Sequence, residues 1–175
     1  LAGLALGVAG VAARTTSAPA AFTLTFPQPL PPGRKVVKVF LKSSMPGLRL
    51  TASTSGQRVN WDARDTASAL TVAEFILYDN IASLRIDIAS RAAGGQFELH
   101  GVSIEGPRPG VVYQSLGVDG ATLDSLNAAP YLEEQLAVLQ PDLVVLDFGS
   151  NELINSGNVL PPQYEAVVKV IRRLR

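Results

Sequence analysis

Two short stretches of the sequence carry residues that can stabilise a developing negative charge. The stretch GVDGAT, residues 117–122, contains Gly120, and the stretch FGSNEL, residues 148–153, contains Asn151. Gly120 has no side chain, so a substrate can approach its backbone N–H, and Asn151 offers the N–H groups of its amide. Two such donors aimed at one oxygen form an oxyanion hole, which lowers the barrier to acyl transfer by about 3 to 4 kcal/mol. Gly120 and Asn151 are therefore candidates to hold one developing negative charge, and the alternative is that Gly149 and Asn151 simply turn the chain.

The residues on either side of Asn151 are candidates for substrate binding. The hydroxyl of Ser150 can bond a substrate or stabilise the turn, and its position in the loop favours the turn. Glu152 can orient Asn151 or interact with the dipole of the first helical turn. Asp147 and Glu152 could form the carboxylate pair of a glycosidase, but such carboxylates lie about 5 to 10 Å apart across a sugar. Neighbours on one loop rarely reach that separation, which disfavours a glycosidase.

His100 is the only histidine and hence the only candidate for a histidine base, with Ser115 or Ser150 as a nucleophile. It lies on the polar side of an alternating strand in the other predicted domain. This position favours a solvated or locally bonded histidine over a catalytic one. One histidine and no cysteine exclude a His-rich or thiolate metal site. We predict neither a metal nor an organic cofactor.

From residue 22 to about residue 104, apolar and polar residues alternate with the period of half-buried strands. The clearest examples are FTLTF, VVKVFLK, SLRIDIAS and QFELHGVSIEG. In the last of these, Gly101 marks a bulge. Stretches rich in Pro and Gly separate the strands. We predict an antiparallel β-sandwich or jelly roll over residues 1–107.

The pattern changes at GPRPG, residues 106–110, which indicates a linker before a second domain over residues 108–175. The strand VVYQSLG and the non-alternating run LVVLDF, typical of a strand covered on both faces, are each followed by a helical stretch. The last helix is predicted to bury one apolar stripe, formed by Tyr164, Val167, Val168, Ile171 and Leu174. This order predicts an α/β domain with a doubly wound parallel sheet, incomplete because it holds only two strands.

The charges and the opening residues exclude several classes of partner. Fifteen basic and fifteen acidic side chains cancel, so the chain has no electrostatic footprint for nucleic acid or for an anionic membrane surface. The opening LAGLALGVAGVAARTTSAPA has the apolar length of a signal-peptide core, but no Lys or Arg precedes it, which favours an apolar strand and turn over a signal remnant. It is too short and too rich in Gly to span a bilayer.

The two loop motifs support a resemblance to a known family. GVDGAT followed by PDLVVLDFGSNEL resembles the second and third sequence blocks of the SGNH, or GDSL, hydrolases, which are esterases and acyl hydrolases on a flavodoxin-like α/β/α sheet. The resemblance implies that Gly120 and Asn151 match the family's oxyanion-hole glycine and asparagine. Glu152 stands where many relatives have Asp, and GxNE is more typical of bacterial members that deacetylate carbohydrate or peptidoglycan. Some of these carry an inserted β-sandwich that resembles a carbohydrate-binding module, in the order found here.

The resemblance also has departures. The family's nucleophilic Ser in a GDS block and its Asp and His in a DxxH block are both absent from these residues. We therefore expect an internal portion of a longer extracytoplasmic serine esterase that removes O-acyl groups from carbohydrate, plausibly O-acetylated peptidoglycan. The alternative is a non-catalytic carbohydrate-binding protein. In either case Trp61 and Tyr78 could stack on sugar rings, although core packing is the favoured role for both.

Overall fold

A computed structural model describes residues 12–63, 70–106, 110–112, 121–129, 132–152 and 160–173. The chain divides into two compact units. One unit is Val11–Tyr113, and the other is Gln114–Arg175 together with Leu1–Gly10. The predicted linker covers residues 106–110, of which 107–109 lie outside the described residues, and the predicted boundary between residues 107 and 108 stays a prediction.

The described part of the first unit contains eight strands. They are β1 (Ala13–Thr15), β2 (Ala20–Leu30), β3 (Lys35–Ser43), β4 (Arg49–Ser53), β5 (Arg58–Asp62), β6 (Thr71–Leu77), β7 (Ile81–Ala89) and β8 (Phe97–Glu105). They form two four-stranded sheets with the orders β1-β8-β3-β6 and β2-β7-β4-β5. Each strand pairing is antiparallel. The predicted β-sandwich is therefore confirmed, and the alternating sequences named above lie in β2, β3, β7 and β8.

The core of the sandwich is formed by the inward-facing residues of both sheets. In β3 the apolar side chains of Val37, Val39 and Leu41 are fully buried, while Lys38 and Lys42 are only partly buried. The facing sheet contributes the buried residues Leu50, Ala52, Leu84, Ile86 and Ile88. Each fully buried side chain of Val, Leu or Ile size contributes about 1.5 to 3 kcal/mol relative to an exposed one. The period of two in the sequence thus specifies which face of each strand is buried.

A β-bulge interrupts the pairing of β8 with β3 at His100. Phe40 pairs with Gly101 and the next residue of β3, Leu41, pairs with Leu99, so His100 has no opposite residue. The bulge predicted next to Gly101 is therefore present. It keeps Leu99 and Val102 on the side of the core even though they are three residues apart.

The second unit contains helices in its described part. They are α1 (Leu123–Asn127), α2 (Leu132–Leu139) and α3 (Leu160–Arg173), and residues 150–152 are also helical. In α3 the buried residue is Val170, whereas Tyr164 and Ile171 are 72% and 41% exposed. The predicted stripe of α3 is therefore wrong in part. The inward face is centred on Val170, where Ala166 on the same face accepts a hydrogen bond from Asn127 Nδ2 at 3.2 Å.

The described residues of the second unit do not show the predicted flavodoxin-like α/β/α sheet. Residues 143–148, predicted as a buried parallel strand, pair with no strand in the described part of the chain. Leu143 and Val145 are 78% and 76% exposed. The other predicted strand, residues 111–117, lies mostly outside the described residues, and the parallel sheet of this segment stays a prediction. A strand requires a hydrogen-bonded neighbour, and an apolar run cannot specify one.

Candidate functional site

The two loops that carry the predicted site lie next to each other. Asn151 Nδ2 donates a hydrogen bond of 2.8 Å to the backbone carbonyl of Ala121. Gly120 lies outside the described residues, but it directly precedes Ala121 in the chain. An amide NH2 group has two N–H donors, and Ala121 takes one of them. The structure thus brings the Asn151 side chain to the loop that contains Gly120.

The carboxylate of Glu152 joins the same two loops. Its Oε1 accepts a hydrogen bond of 2.6 Å from the backbone N–H of Leu123, and its Oε2 accepts one of 2.9 Å from the N–H of Gly149. The hydrogen bond from Leu123, with a further contribution from Gly149, holds the pKa of Glu152 below its ordinary value. Glu152 is therefore a charged acceptor that links the two loops, and we call its two hydrogen bonds, from Leu123 and Gly149, the clamp.

The sequence around α1 explains why Leu123 N–H is available to Glu152. Thr122 is the N-cap of α1 and forms a capping box with Ser125. The Thr122 hydroxyl accepts from the Ser125 N–H at 3.2 Å, and the Ser125 hydroxyl accepts from the Thr122 N–H at 2.7 Å. The N–H of Leu123 in the first turn has no partner within the helix, and Glu152 supplies one.

Ser150, predicted as a substrate-binding residue, is exposed and is the first of the helical residues 150–152. Asp147 is also exposed, whereas Asn151 and Glu152 are half-buried. The carboxylate of Glu152 is occupied by backbone N–H groups rather than directed toward Asp147. Its contacts are those of a residue that positions the loop beside Asn151.

His100 belongs to a buried polar cluster in the sandwich. The ring is 1% exposed, and its Nε2 lies 3.3 Å from Oε2 of Glu98, which is itself 4% exposed. The guanidinium of Arg14 on β1 bonds the other oxygen of Glu98 at 2.6 and 3.1 Å. His100 is therefore locally bonded, as its strand position favours. The bulge at this residue and the pairing of β1 with β8 assemble the cluster.

Tyr78, in the loop between β6 and β7, is an exposed aromatic residue of the sandwich. Its side chain is 53% exposed. Its backbone N–H donates to Oε1 of Gln57 at 2.5 Å, and its carbonyl accepts from the N–H of Gly33 at 2.8 Å. The favoured prediction of core packing is therefore wrong for Tyr78, because a loop position removes its ring from the alternating strand face.

Asp79, the residue after Tyr78, fixes this loop through hydrogen bonds to its backbone carbonyl and its carboxylate. The carbonyl of Asp79 accepts from the buried ammonium of Lys35 at 2.9 Å. The carboxylate of Asp79 accepts from the Thr54 hydroxyl and from the Gly56 N–H. Three loops, those after β2, β4 and β6, are thus tied together around Tyr78. Sequence reasoning missed Lys35 and Gln57, because their partners lie on other loops and the spacing of a strand carries no signal for them.

Trp61, the other predicted stacking residue, lies on β5. It is half-buried and packs against the hydrophobic core. Its indole ring is part of the sandwich interior, as core packing predicts.

The described residues show neither a metal centre nor a membrane span. Among them, no group of three or more His, Asp or Glu side chains is placed to hold a metal ion. None of their helices has the length and the apolar character needed to cross a bilayer.

Comparisons with known proteins give weak structural similarities. No family model matches the sequence, and no curated protein matches it. The C-terminal domain of EclA, a sugar-binding protein, has a TM-score of 0.40 and 11% identity over 54% of this chain and 77% of that chain. A family 16 carbohydrate-binding module has a TM-score of 0.37 and 10% identity over 58% of this chain and 83% of that chain.

A carbohydrate-binding module from Cellvibrio mixtus lichenase 5A, in complex with cellotriose, has a TM-score of 0.31 and 16% identity, covering 60% of this chain and 75% of that chain. Similarities of this size do not distinguish among the functions that one fold can support. The resemblance to SGNH hydrolases gains no support from these comparisons and stays a prediction.

Proposed function

We propose that the β-sandwich of this chain binds carbohydrate at the end that carries Tyr78. The observation that supports the proposal is an exposed aromatic ring on a loop whose backbone is fixed. Gln57 and Gly33 bond the backbone of Tyr78, and Lys35 bonds the next carbonyl. A ring held in this way loses little conformational entropy when a ligand packs on it.

The chemistry of a tyrosine ring suits a sugar. Its apolar face packs against the C–H groups of a pyranose ring, while its hydroxyl offers a donor and an acceptor to the sugar hydroxyls. Asn80, exposed two residues along the same loop, adds amide donors and an acceptor. The ligand in this proposal is an O-acylated polysaccharide, with O-acetylated peptidoglycan as the first to test.

The experiment is a pull-down of the full chain on insoluble O-acetylated peptidoglycan. Tyr78→Ala is expected to weaken binding by about tenfold or more, since large interface aromatics contribute about 2 kcal/mol or more when truncated. Tyr164→Ala is the matched control, because Tyr164 is also exposed but lies on α3 of the other unit. Equal binding by the Tyr78 variant and the unchanged chain would contradict the proposal.

Ester hydrolysis is a second candidate, and it is favoured by the meeting of the two loops. Asn151 and Glu152 both bond the segment that follows Gly120. In this proposal the Gly120 N–H and the Asn151 amide stabilise the oxyanion of an O-acyl ester under attack by a Ser, with a His as base and an Asp as its partner. These three come from GDS and DxxH blocks that the present residues do not contain, and no metal or cofactor is required. The protein is extracytoplasmic in this proposal.

This second candidate is tested on a longer gene product that contains both blocks. Asn151→Ala is expected to lower kcat for p-nitrophenyl acetate by about a hundredfold or more. Asn60→Ala, the same change at an exposed position on β5 of the sandwich, is the control. A gene without the two blocks, or an Asn151 variant with nearly full activity, would leave non-catalytic carbohydrate binding as the function.

A further inference from the structure

A cavity lies at the end of the sandwich opposite Tyr78. Tyr78 lies in the loop before Ile81, the first residue of β7. The cavity instead adjoins Ala89, the last residue of β7, and Arg49, the first residue of β4. Its volume is about 360 Å³, and small-molecule sites usually fall between about 300 and 1,000 Å³. It is lined by Gly47, Arg49, Asp62, Ala89, Ser90 and Arg91.

The lining carries two positive charges and one negative charge. Arg49 and Asp62 form a bidentate pair, with Nε to Oδ1 at 2.7 Å and Nη2 to Oδ2 at 3.1 Å. A guanidinium has five N–H groups, so this pair leaves three of those of Arg49 for other acceptors. In the described part of the chain, no carboxylate lies within ion-pair distance of Arg91. The described lining residues therefore carry one positive charge in excess.

The position of Arg91 is set by its contacts with the loop between β3 and β4. Its backbone N–H donates to the carbonyl of Pro46 at 3.0 Å. Its methylene groups lie directly over Gly47, where an added Cβ would stand 2.5 Å from Arg91 Cδ. The neighbouring Ser90 hydroxyl bonds the Pro46 carbonyl at 2.9 Å. Gly47 thus provides the surface on which the Arg91 side chain is held at the cavity.

The positive charge of Arg91 acts on Asp62, which also lines the cavity. Hydrogen bonds from Arg49 hold the pKa of Asp62 below its ordinary value, and the positive charge of Arg91 acts in the same direction. Asp62 is thus charged and occupied by Arg49 at neutral pH. The second cation in the cavity is then available to a ligand.

We propose that this cavity binds the carboxylate of an acidic sugar through Arg91, with Arg49 as a second donor. A guanidinium matches a carboxylate with two parallel N–H bonds, and the free N–H groups of Arg49 can bond ring hydroxyls of the same ligand. This site is separate from the one at Tyr78 and does not depend on it.

The test is calorimetric titration of the full chain with D-glucuronate, with D-glucose as the neutral match. Glucuronate is expected to bind at least about fivefold more tightly than glucose, because its carboxylate accepts charge-assisted hydrogen bonds that a neutral hydroxyl cannot, and solvent screens part of this gain at an exposed site. Added salt should weaken this binding. Equal affinity for the two sugars, or no binding of glucuronate, would overturn the proposal.

Substitutions of individual arginines test which side chain binds the carboxylate of glucuronate. Arg91→Gln is expected to weaken glucuronate binding by about five- to tenfold, whereas Arg85→Gln should leave it unchanged. Arg85 is the matched control because it lies on β7, is exposed, and is already paired with Asp87 at 2.8 Å. Full binding by the Arg91 variant would contradict the role assigned to Arg91.

Discussion

The carboxylate of Glu152 accepts a 2.6 Å hydrogen bond from the backbone N–H of Leu123, which lies 29 positions earlier in the chain. Residues 149–152 and the first turn of α1 are therefore joined by a charged acceptor. The same carboxylate also bonds the Gly149 N–H in its own loop. Any ligand that uses Asn151 depends on this clamp.

Glu152→Gln should loosen the clamp. Replacing a charged acceptor with a neutral one costs about 1 kcal/mol, so the Leu123 amide should exchange with solvent about fivefold faster. Amide exchange followed by NMR measures this directly. Glu165→Gln, a change at an exposed glutamate on α3, is the control. Unchanged exchange at Leu123 would show that the bond does not hold the loops together.

The clamp should also depend on pH. The folded state lowers the pKa of Glu152 from its ordinary value of 4.5. The contribution of the Glu152 carboxylate to the stability of the folded state is therefore fully present above that value. The contribution is lost as the pH falls through the lowered pKa and the carboxylate is protonated. A titration of the Glu152 side chain by NMR should give a midpoint below 4.5, accompanied by faster exchange of the Leu123 amide. A midpoint at or above 4.5 would be inconsistent with the clamp.

Two neighbouring glycines should respond differently to alanine. Gly94 and Gly95 both have positive φ, at 97° and 81°, but only at Gly95 would a Cβ meet backbone, 2.5 Å from the Ser44 carbonyl oxygen. Gly94→Ala is expected to cost about 1 to 2 kcal/mol for the backbone conformation. Gly95→Ala should cost about 1 to 3 kcal/mol more, because the loop must shift. Urea denaturation measures both, and equal losses would contradict the close approach.

The alternation in β6 predicts a contrast between adjacent residues. Phe75 is 1% exposed and Ile76 is 42% exposed. Phe75→Ala should lower the free energy of unfolding by about 3 to 5 kcal/mol, whereas Ile76→Ala should change it by about 0.5 kcal/mol or less. The fluorescence of Trp61, the only tryptophan, reports the unfolding of this unit. Similar losses for the two variants would argue against the assigned register.

The sandwich could be predicted because its strands carry their own signal. Val37 and Val39 lie on either side of Lys38 and need only an apolar layer on their own face, which the sequence itself supplies. The run LVVLDF has no alternation, and its assignment as a strand depends on a neighbouring strand that the described residues do not contain. Its apolar character is the same whether or not another strand lies beside it.

The polar groups of the sandwich were harder to predict from sequence. Arg49 and Asp62 stand opposite each other across β4 and β5 only because the hairpin has a particular register. Arg91 reaches the same place by resting on Gly47, a contact between distant loops. By contrast, the sequence predicted that Asn151 lies near the loop that contains Gly120, because each of the two motifs follows a predicted strand.

The sheet order has a consequence for how this chain is made. Among the described strands of the sandwich, β1 is synthesised first, yet it pairs with β8, which is synthesised last. The central strand β3 must also wait for β8 on one side. Such long-range pairing slows folding to about milliseconds or longer. Until residue 105 has been synthesised, β3 presents an open edge to other nascent chains, and a chaperone that shields it should raise the yield of folded protein.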